Sequence, residues 1–294
     1  MLTFPETHFH FGGDEYIFAE ISKDMRLESN FKAISITREV RNRQIPGVID
    51  VYSANASYLV HFNPDIISVN DLLEILREID IQKSSSSELN ITVRIVDIPI
   101  WYDDPITREY SRAFKDRHPD PSLSNFEFVM KVNGFKDKEA FIEAHSSLPH
   151  VITMIGFNPG GAYEFPLGKA QDRIIQTPKY ISSRTDSPRQ AVSMGGAFTL
   201  IYPFSTWGGF QLIGMCPVPI YHKKGILKDF KNSMFLARLG DLWKHRPINE
   251  SEYQKISDEV EQGTYQFRKK TVSFSPQEYF QKGRSYINEL MKGF

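Results

Sequence analysis

Apolar and polar positions divide the first hundred residues into short alternating runs and two helical faces. Tyr16-Ile17-Phe18-Ala19-Glu20-Ile21 has the alternation of a strand, and Leu27, Phe31, Ile34 and Val40 then fall roughly on one helical side. Gly47–Val51 and Ser57–Phe62 read as two strands around the polar turn Ser53-Ala54-Asn55. Ser68 with Asp71 three residues on opens a second helix, whose apolar side carries Leu72, Leu73, Leu76 and Ile79. Beyond the Ser84–Ser87 run, Ile91-Thr92-Val93-Arg94-Ile95-Val96 alternates and is rich in β-branched residues. The order β-α-β-β-α-β predicts a ferredoxin-like α+β domain over residues 1–97.

The pattern then turns helical up to about residue 147. Pro105 follows Asp104 as a first helical residue, Ser124 pairs with Glu127 as a capping box, and Asp137 precedes a short helix containing Phe141 and Ile142. Val129-Met130-Lys131-Val132 imitates the core of a biotin-attachment hairpin but lies inside the capped helix, so it is read as coincidence. From Val151 onward the apolar segments are short and broken by Gly and Pro, as in Val151–Phe157, Ile201-Tyr202, Phe210–Ile213 and Val218–Tyr221. Many short strands of this kind predict a barrel or sandwich over residues 98–248. Its most informative part is Gly195–Gly214, two apolar runs entered through glycine pairs and read as a hairpin with Tyr202 and Trp207 at its tip. Residues 249–294 form a helical extension, with caps at Asn249 and Ser275 and an apolar side (Tyr279, Phe280, Ile287, Leu290, Met291) that must dock somewhere.

Composition narrows the function. Thirty-five Lys and Arg against 36 Asp and Glu give no electrostatic case for nucleic acid or an anionic membrane. A single cysteine, Cys216, excludes an internal disulfide and a thiolate zinc cage. The start of the chain lacks a signal-peptide pattern and no apolar run is membrane-spanning in length, so a cytoplasmic protein is expected. There is no P-loop, dinucleotide fingerprint or His-Glu-x-x-His, so no nucleotide cofactor and no metal are expected on this chain. His8 and His10 alternate without an evident third ligand, and His145 and His150 read as structural.

Three clusters remain, each also satisfied by ordinary caps, turns or solvated charges. Asp103 and Asp104 end a strand and start a helix, as a general base could. The loop Gly156–Gly161, with Asn158 and Gly160, could expose backbone N–H donors as an oxyanion cradle. Lys179–Thr185 offers two cations, Lys179 and Arg184, beside several hydroxyls. With Gly195, Gly196, Tyr202, Gly208, Gly209 and Gln211 they outline a candidate site.

Over nearly its whole length the chain resembles a carboxyltransferase-domain family that includes allophanate hydrolase subunit 1, the B-type subunit of 5-oxoprolinase and KipI-like proteins. The resemblance rests on Gly13-Asp14-Glu15-Tyr16, Pro46–Asp50, Ser57–Pro64, Ile98–Asp103, His145 and Gly156-Phe157-Asn158-Pro159-Gly160. Pro178-Lys179-Tyr180, Arg184-Thr185, Gly195-Gly196-Ala197 and Gly208–Gln211 are similar to the urea carboxylase version, as is the run from Tyr253 to Phe274. Trp207-Gly208-Gly209 stands where the family has Pro-Gly-Gly, Ser193-Met194 replaces a small approach to the glycine pair, and Gly161 replaces an aromatic.

The resemblance implies a ferredoxin-like domain followed by a cyclophilin-like barrel, with a reaction site completed by a homologous second barrel subunit. It implies transfer of a carboxyl group from carboxybiotin to a urea-, guanidine- or lactam-like substrate, with biotin and ATP carried by partners such as a biotin carboxylase or carrier. Two alternatives come with it: the B-type subunit of an ATP-dependent 5-oxoprolinase, and a non-catalytic inhibitor of a sensor histidine kinase.

Overall fold

The computed structural model describes residues 6–85, 90–156, 158–168 and 174–294, which divide into two compact units. One lies within Met1–Val93 together with Val272–Gly293, the other within Arg94–Thr271. The residues expected as one extension from 249 are therefore shared between them.

The first unit contains β1 (His8–Phe11), β2 (Tyr16–Glu20), α1 (Leu27–Arg43), β3 (Val48–Ser53), β4 (Ser57–Phe62) and α2 (Val69–Ser85). Its sheet is antiparallel in the order β1-β2-β4-β3. One face buries Ile17, Ala19, Val51, Tyr58, Val60 and Phe62 in a core shared with Ala33, Ile36, Leu72 and Leu76 of the two helices. The Ser68 hydroxyl accepts the Asp71 N–H at 3.1 Å, so α2 starts where its cap predicts. The expected last strand of the β-α-β-β-α-β order does not join this sheet, and β1 flanks β2 in its place. The physical reason lies in β5 (Ile91–Tyr102): it is buried without interruption from Ile95 to Ile100, and a half-exposed sheet cannot cover both faces of such a strand.

The second unit holds α3 (Pro105–Ala113), α4 (Asn125–Asn133), α5 (Lys138–Ser146), β6 (His150–Ile155), β7 (Ala162–Pro166), β8 (Ala191–Gly195), β9 (Phe198–Ile201), β10 (Gln211–Met215), β11 (Leu242–Pro247) and α6 (Glu250–Glu261). The sheet runs β10-β8-β9-β7-β6-β11-β5, and pairing of β10 with β5 closes seven strands into a barrel. A further strand, β12 (Lys269–Phe274), lies outside it on β5. The core combines Val96, Ile98, Ile100, Ile152, Val192, Ile201, Ile213 and Trp243 from strands with Phe126, Val129 and Phe141 from α4 and α5.

Some local expectations change. The runs 198–201 and 210–213 are not partners, because β8 lies between β9 and β10. The true hairpin is β8–β9, turning through Gly196-Ala197 with Gly196 at φ 59°, as a two-residue hairpin turn requires. Val218–Tyr221 forms no strand and contributes only a Tyr221–Phe235 bridge. The terminal helix is broken at Gly283 into α7 (Pro276–Lys282) and α8 (Arg284–Leu290). The expected docking side is found on this chain's own α1: Phe31 meets Phe274, Tyr279 and Phe280 at ring separations of 5.2, 6.5 and 6.2 Å.

Candidate functional site

A strip of backbone from Thr177 to Ser187, bent at Ile181-Ser182 and at Thr185, is laid against both glycine pairs. Thr177 exchanges backbone hydrogen bonds with Gly196, Tyr180 donates to the Gly209 carbonyl at 2.8 Å, and Arg184 bridges Gly208 in both directions. Lys179, Arg184, Tyr202, Gly208, Gly209 and Gln211 are thereby brought to one side of the barrel around Phe210.

Their side chains divide into exposed and committed ones. Lys179 is exposed, with its ammonium 5.0 Å from the centroid of the Phe210 ring. Ser182, Ser183 and Ile181 beside it are exposed too, and so is Trp207 on the facing segment. Arg184, by contrast, is wholly buried. Its Nη1 donates to the Phe210 carbonyl at 2.7 Å, Nε and Nη2 donate to Ser187 Oγ, and the guanidinium lies 4.6 Å over the Tyr180 ring. Gln211 is also buried: Oε1 pairs with His118 Nε2 at 2.9 Å and Nε2 donates to the Pro178 carbonyl at 3.0 Å. This fixes the backbone immediately before Lys179.

The glycines are explained chiefly by what packs on them. A Cβ on Gly208 would sit 1.9 Å from Tyr202 Oη, and one on Gly195 would sit 2.4 Å from Phe210 Cδ1. A Cβ on Gly209 would come within 3.2 Å of Ser183 Oγ, whereas Gly196 has open space. Part of the cleft read from the sequence is thus filled by this chain's own Tyr202 and Phe210.

The other two clusters turn inward. Asp104 is the N-cap of α3, accepting the Thr107 N–H at 2.9 Å and its hydroxyl at 2.5 Å, and burial raises its carboxyl above the usual range. Asp103 stands at φ 55° and pairs bidentately with Arg108. In the loop at 156–161, Phe157 lies outside the described residues. The N–H groups of Gly156, Asn158 and Gly161 donate to carbonyls within that loop, so they form no open cradle. Gly160, at φ 82°, is required by close approach, since a Cβ there would be 2.9 Å from Phe235 Cδ1.

A further group was not joined by the sequence, in which His145 and His150 read as structural. His145 of α5, His150 of β6 and His245 of β11 have ring centroids 4.4–5.0 Å apart, all fully buried. Glu164 of β7, also at zero exposure, meets His245 Nε2 at 2.7 Å. Burial drives the imidazoles down and the Glu164 carboxyl well up, so this pair is neutral rather than ionic. Four elements supply these residues, and no local spacing could have joined them.

The model of the carboxyltransferase domain, subdomains C and D, matches residues 7–226. The chain belongs to this family. Among its relatives, urea amidolyase of Saccharomyces cerevisiae is 24% identical over 94% of this chain, which spans 15% of that protein. The B-type subunit of 5-oxoprolinase from Bacillus subtilis is 26% identical over 84% of this chain and 95% of its own length. The fold is that of a part of Kluyveromyces lactis urea amidolyase, with a TM-score of 0.80 and 20% identity over 98% of this chain and 18% of that one. Among the described residues no helix is long and apolar enough to cross a membrane.

Proposed function

We propose that this carboxyltransferase-domain chain is one half of a two-barrel enzyme that moves or opens a planar carboxyl or amide group on a small urea-, guanidine- or lactam-like compound. The single observation that supports it most is the Thr177–Ser187 strip bonded to Gly196, Gly208 and Gly209, which presents Lys179 on a rigid base. Lys179 would anchor the carboxylate, with the exposed Ser182 and Ser183 hydroxyls beside it as donors. Arg184, Tyr202, Gly195, Gly196, Gly208 and Gln211 act as scaffold. Asp103, Asp104, Asn158 and Gly160 keep structural roles, so the proton acceptor for an attacking nitrogen comes from a second, homologous barrel subunit. A carboxybiotin carried by a partner would supply the carboxyl group; this chain's part is to bind it and exclude water. ATP, where used, belongs to a partner as well. The ferredoxin-like and cyclophilin-like labels form part of the same reading, with β1 substituting for the usual last strand of the smaller domain. A cytoplasmic setting also belongs to it.

The Bacillus subtilis relative favours a second reading, lactam opening as the B-type subunit of a 5-oxoprolinase, since it is matched along 95% of its length. One experiment separates the readings: the chain is assembled with a homologous second barrel subunit and screened for ATP-coupled turnover of 5-oxoproline, urea and guanidine. Turnover of urea or guanidine requiring biotinylated carrier supports carboxyl transfer, and turnover of 5-oxoproline without it supports the second reading. An assembled complex inert toward all three, or one equally active with Lys179→Met, overturns the role given to this site.

A further inference from the structure

Inside the second unit, three buried histidines gather together, and a buried carboxyl group bonds one of them. His150, Glu164 and His245 stand on the neighbouring strands β6, β7 and β11, and His145 reaches the same point from α5. One ligand atom from each histidine lies within 4.8 Å of the others. Tetrahedral bonds of about 2.0–2.1 Å to a zinc ion would place such atoms roughly 3.4 Å apart, so inward movements of about an ångström suffice.

Three polar atoms of the cluster are buried and make no hydrogen bond among the described residues: His150 Nδ1, His245 Nδ1 and Glu164 Oε1. Buried polar groups in a folded protein normally find partners, and three orphans within one cluster call for a missing one. His145 already carries the outer support seen around metal-bound imidazoles: Nδ1 is 2.8 Å from Tyr102 Oη and Nε2 is 2.9 Å from Thr199 Oγ1. Whichever nitrogen turned to an ion, the other would keep an oxygen partner that fixes the ring.

We propose that His145, His150 and His245 hold one divalent first-row transition ion, with zinc as its best match, and that Glu164 swings from His245 to supply the fourth ligand. Three imidazole nitrogens and one carboxylate oxygen suit zinc in both ligand type and number. All four positions are supplied by the protein, so the site is a structural clamp tying α5 to β6, β7 and β11. Full burial means that the ion enters during folding or through local opening, so metal loading and stability are linked. No metal is expected from the sequence, because these ligands have no motif spacing: only His145 and His150 are near each other.

The test uses the full chain, stripped with chelator under mild denaturant, refolded, and titrated with Zn2+ and Co2+. The expected results are one equivalent bound per chain, the ligand-field absorption of four-coordinate Co2+, and a rise of several degrees in the thermal midpoint with Zn2+. His150→Asn/His245→Asn should lose all three, and His8→Ala/His10→Ala, which removes the exposed pair, should lose none. If the inner double variant does not fold, X-ray absorption of the loaded wild-type chain decides, and fewer than three imidazoles around the ion overturn the site. Absence of stoichiometric binding by the wild-type chain at about 10 µM free metal, or binding by a folded inner double variant equal to wild type, overturns it as well.

Discussion

Arg184 donates from Nη1 to the carbonyl of Phe210 across 2.7 Å, from a side chain with no exposed surface. The same side chain covers Tyr180 and holds Ser187, so one guanidinium pins the Lys179-bearing strip to the segment that carries Phe210. Removing it leaves buried acceptors without donors, a loss of about 3 kcal/mol for a buried charged group and its hydrogen bonds. Arg184→Met should lower unfolding stability by about that amount in urea titrations, and Arg184→Lys should restore little of it because a lysine cannot fork to both acceptors. A wild-type midpoint for Arg184→Met would mean that the strip is held by its backbone bonds alone.

Lys179 should behave in the opposite way. Lys179 is exposed and its ammonium lies over the Phe210 ring, a cation–π contact worth about 0.5–1 kcal/mol at such a position. Lys179→Met should leave the denaturation midpoint nearly unchanged while cutting turnover of the assembled complex roughly a hundredfold, the scale of losing one charge-stabilising donor. Equal losses of stability and turnover would make Lys179 a packing residue instead.

The contrast shows what could be read along the chain. Helix starts at Ser68, Ser124, Asn249 and Ser275 were legible because a cap and its N–H lie three residues apart. A barrel or sandwich was legible from the short, punctuated strands, the resemblance alone favoured the barrel, and the residues of the candidate strip were legible as types. Their commitments were not. Arg184 and Lys179 look alike in sequence, and only the fold buries one and exposes the other. The departure of β5 from the smaller sheet, the insertion of β8 between β9 and β10, and the meeting of His145, His150, Glu164 and His245 depend on pairings far apart in the chain. No spacing rule reaches that far.

Asp104 offers a test of cap against base. Burial penalises its charged form and raises its pKa, so the folded chain binds this proton more tightly than the unfolded one. The sign is therefore the reverse of a salt-bridged aspartate: stability from this group is lost as pH rises from 3.8 through the folded value. Asn caps a helix as well as Asp and carries no charge. Asp104→Asn should match the wild type near pH 3.8 and gain on it toward pH 7, and Asp104→Ala should run parallel to Asp104→Asn but about 1 kcal/mol below it at every pH. Urea titrations at about pH 4, 5.5 and 7 measure both, and a catalytic base would instead show itself by abolished turnover in a stable Asp104→Asn protein.

Cys216 is fully buried, its thiol is pushed up to about 12, and its Sγ donates to the Val218 carbonyl at 3.4 Å. The thiolate is the reactive form, so at about pH 7.5 the native chain should resist a thiol-disulfide reagent. Labelling should begin only with unfolding, giving one equivalent per chain in denaturant. Rapid labelling of the folded protein would show that the β10 end of the barrel opens on the timescale of the assay.

Gly208 and Gly196 both border the strip, yet they should tolerate alanine differently. At Gly208 a Cβ would fall 1.9 Å from Tyr202 Oη and 2.8 Å from Ser187 Oγ. Tyr202 is itself buried and cannot swing away, so Gly208→Ala must displace the ring or the strand and should cost at least about 2 kcal/mol through overpacking. Gly196 meets nothing within 4 Å, but its φ of 59° charges an alanine about 1–2 kcal/mol for the left-handed conformation. Gly196→Asn, a residue that accepts this conformation, should recover most of that loss. Gly208→Asn should be worse than alanine, because the obstacle there is space and not backbone angle. Thermal melts of the four variants order them directly, and an equal response at both positions would contradict the packing of Tyr202 beneath Gly208.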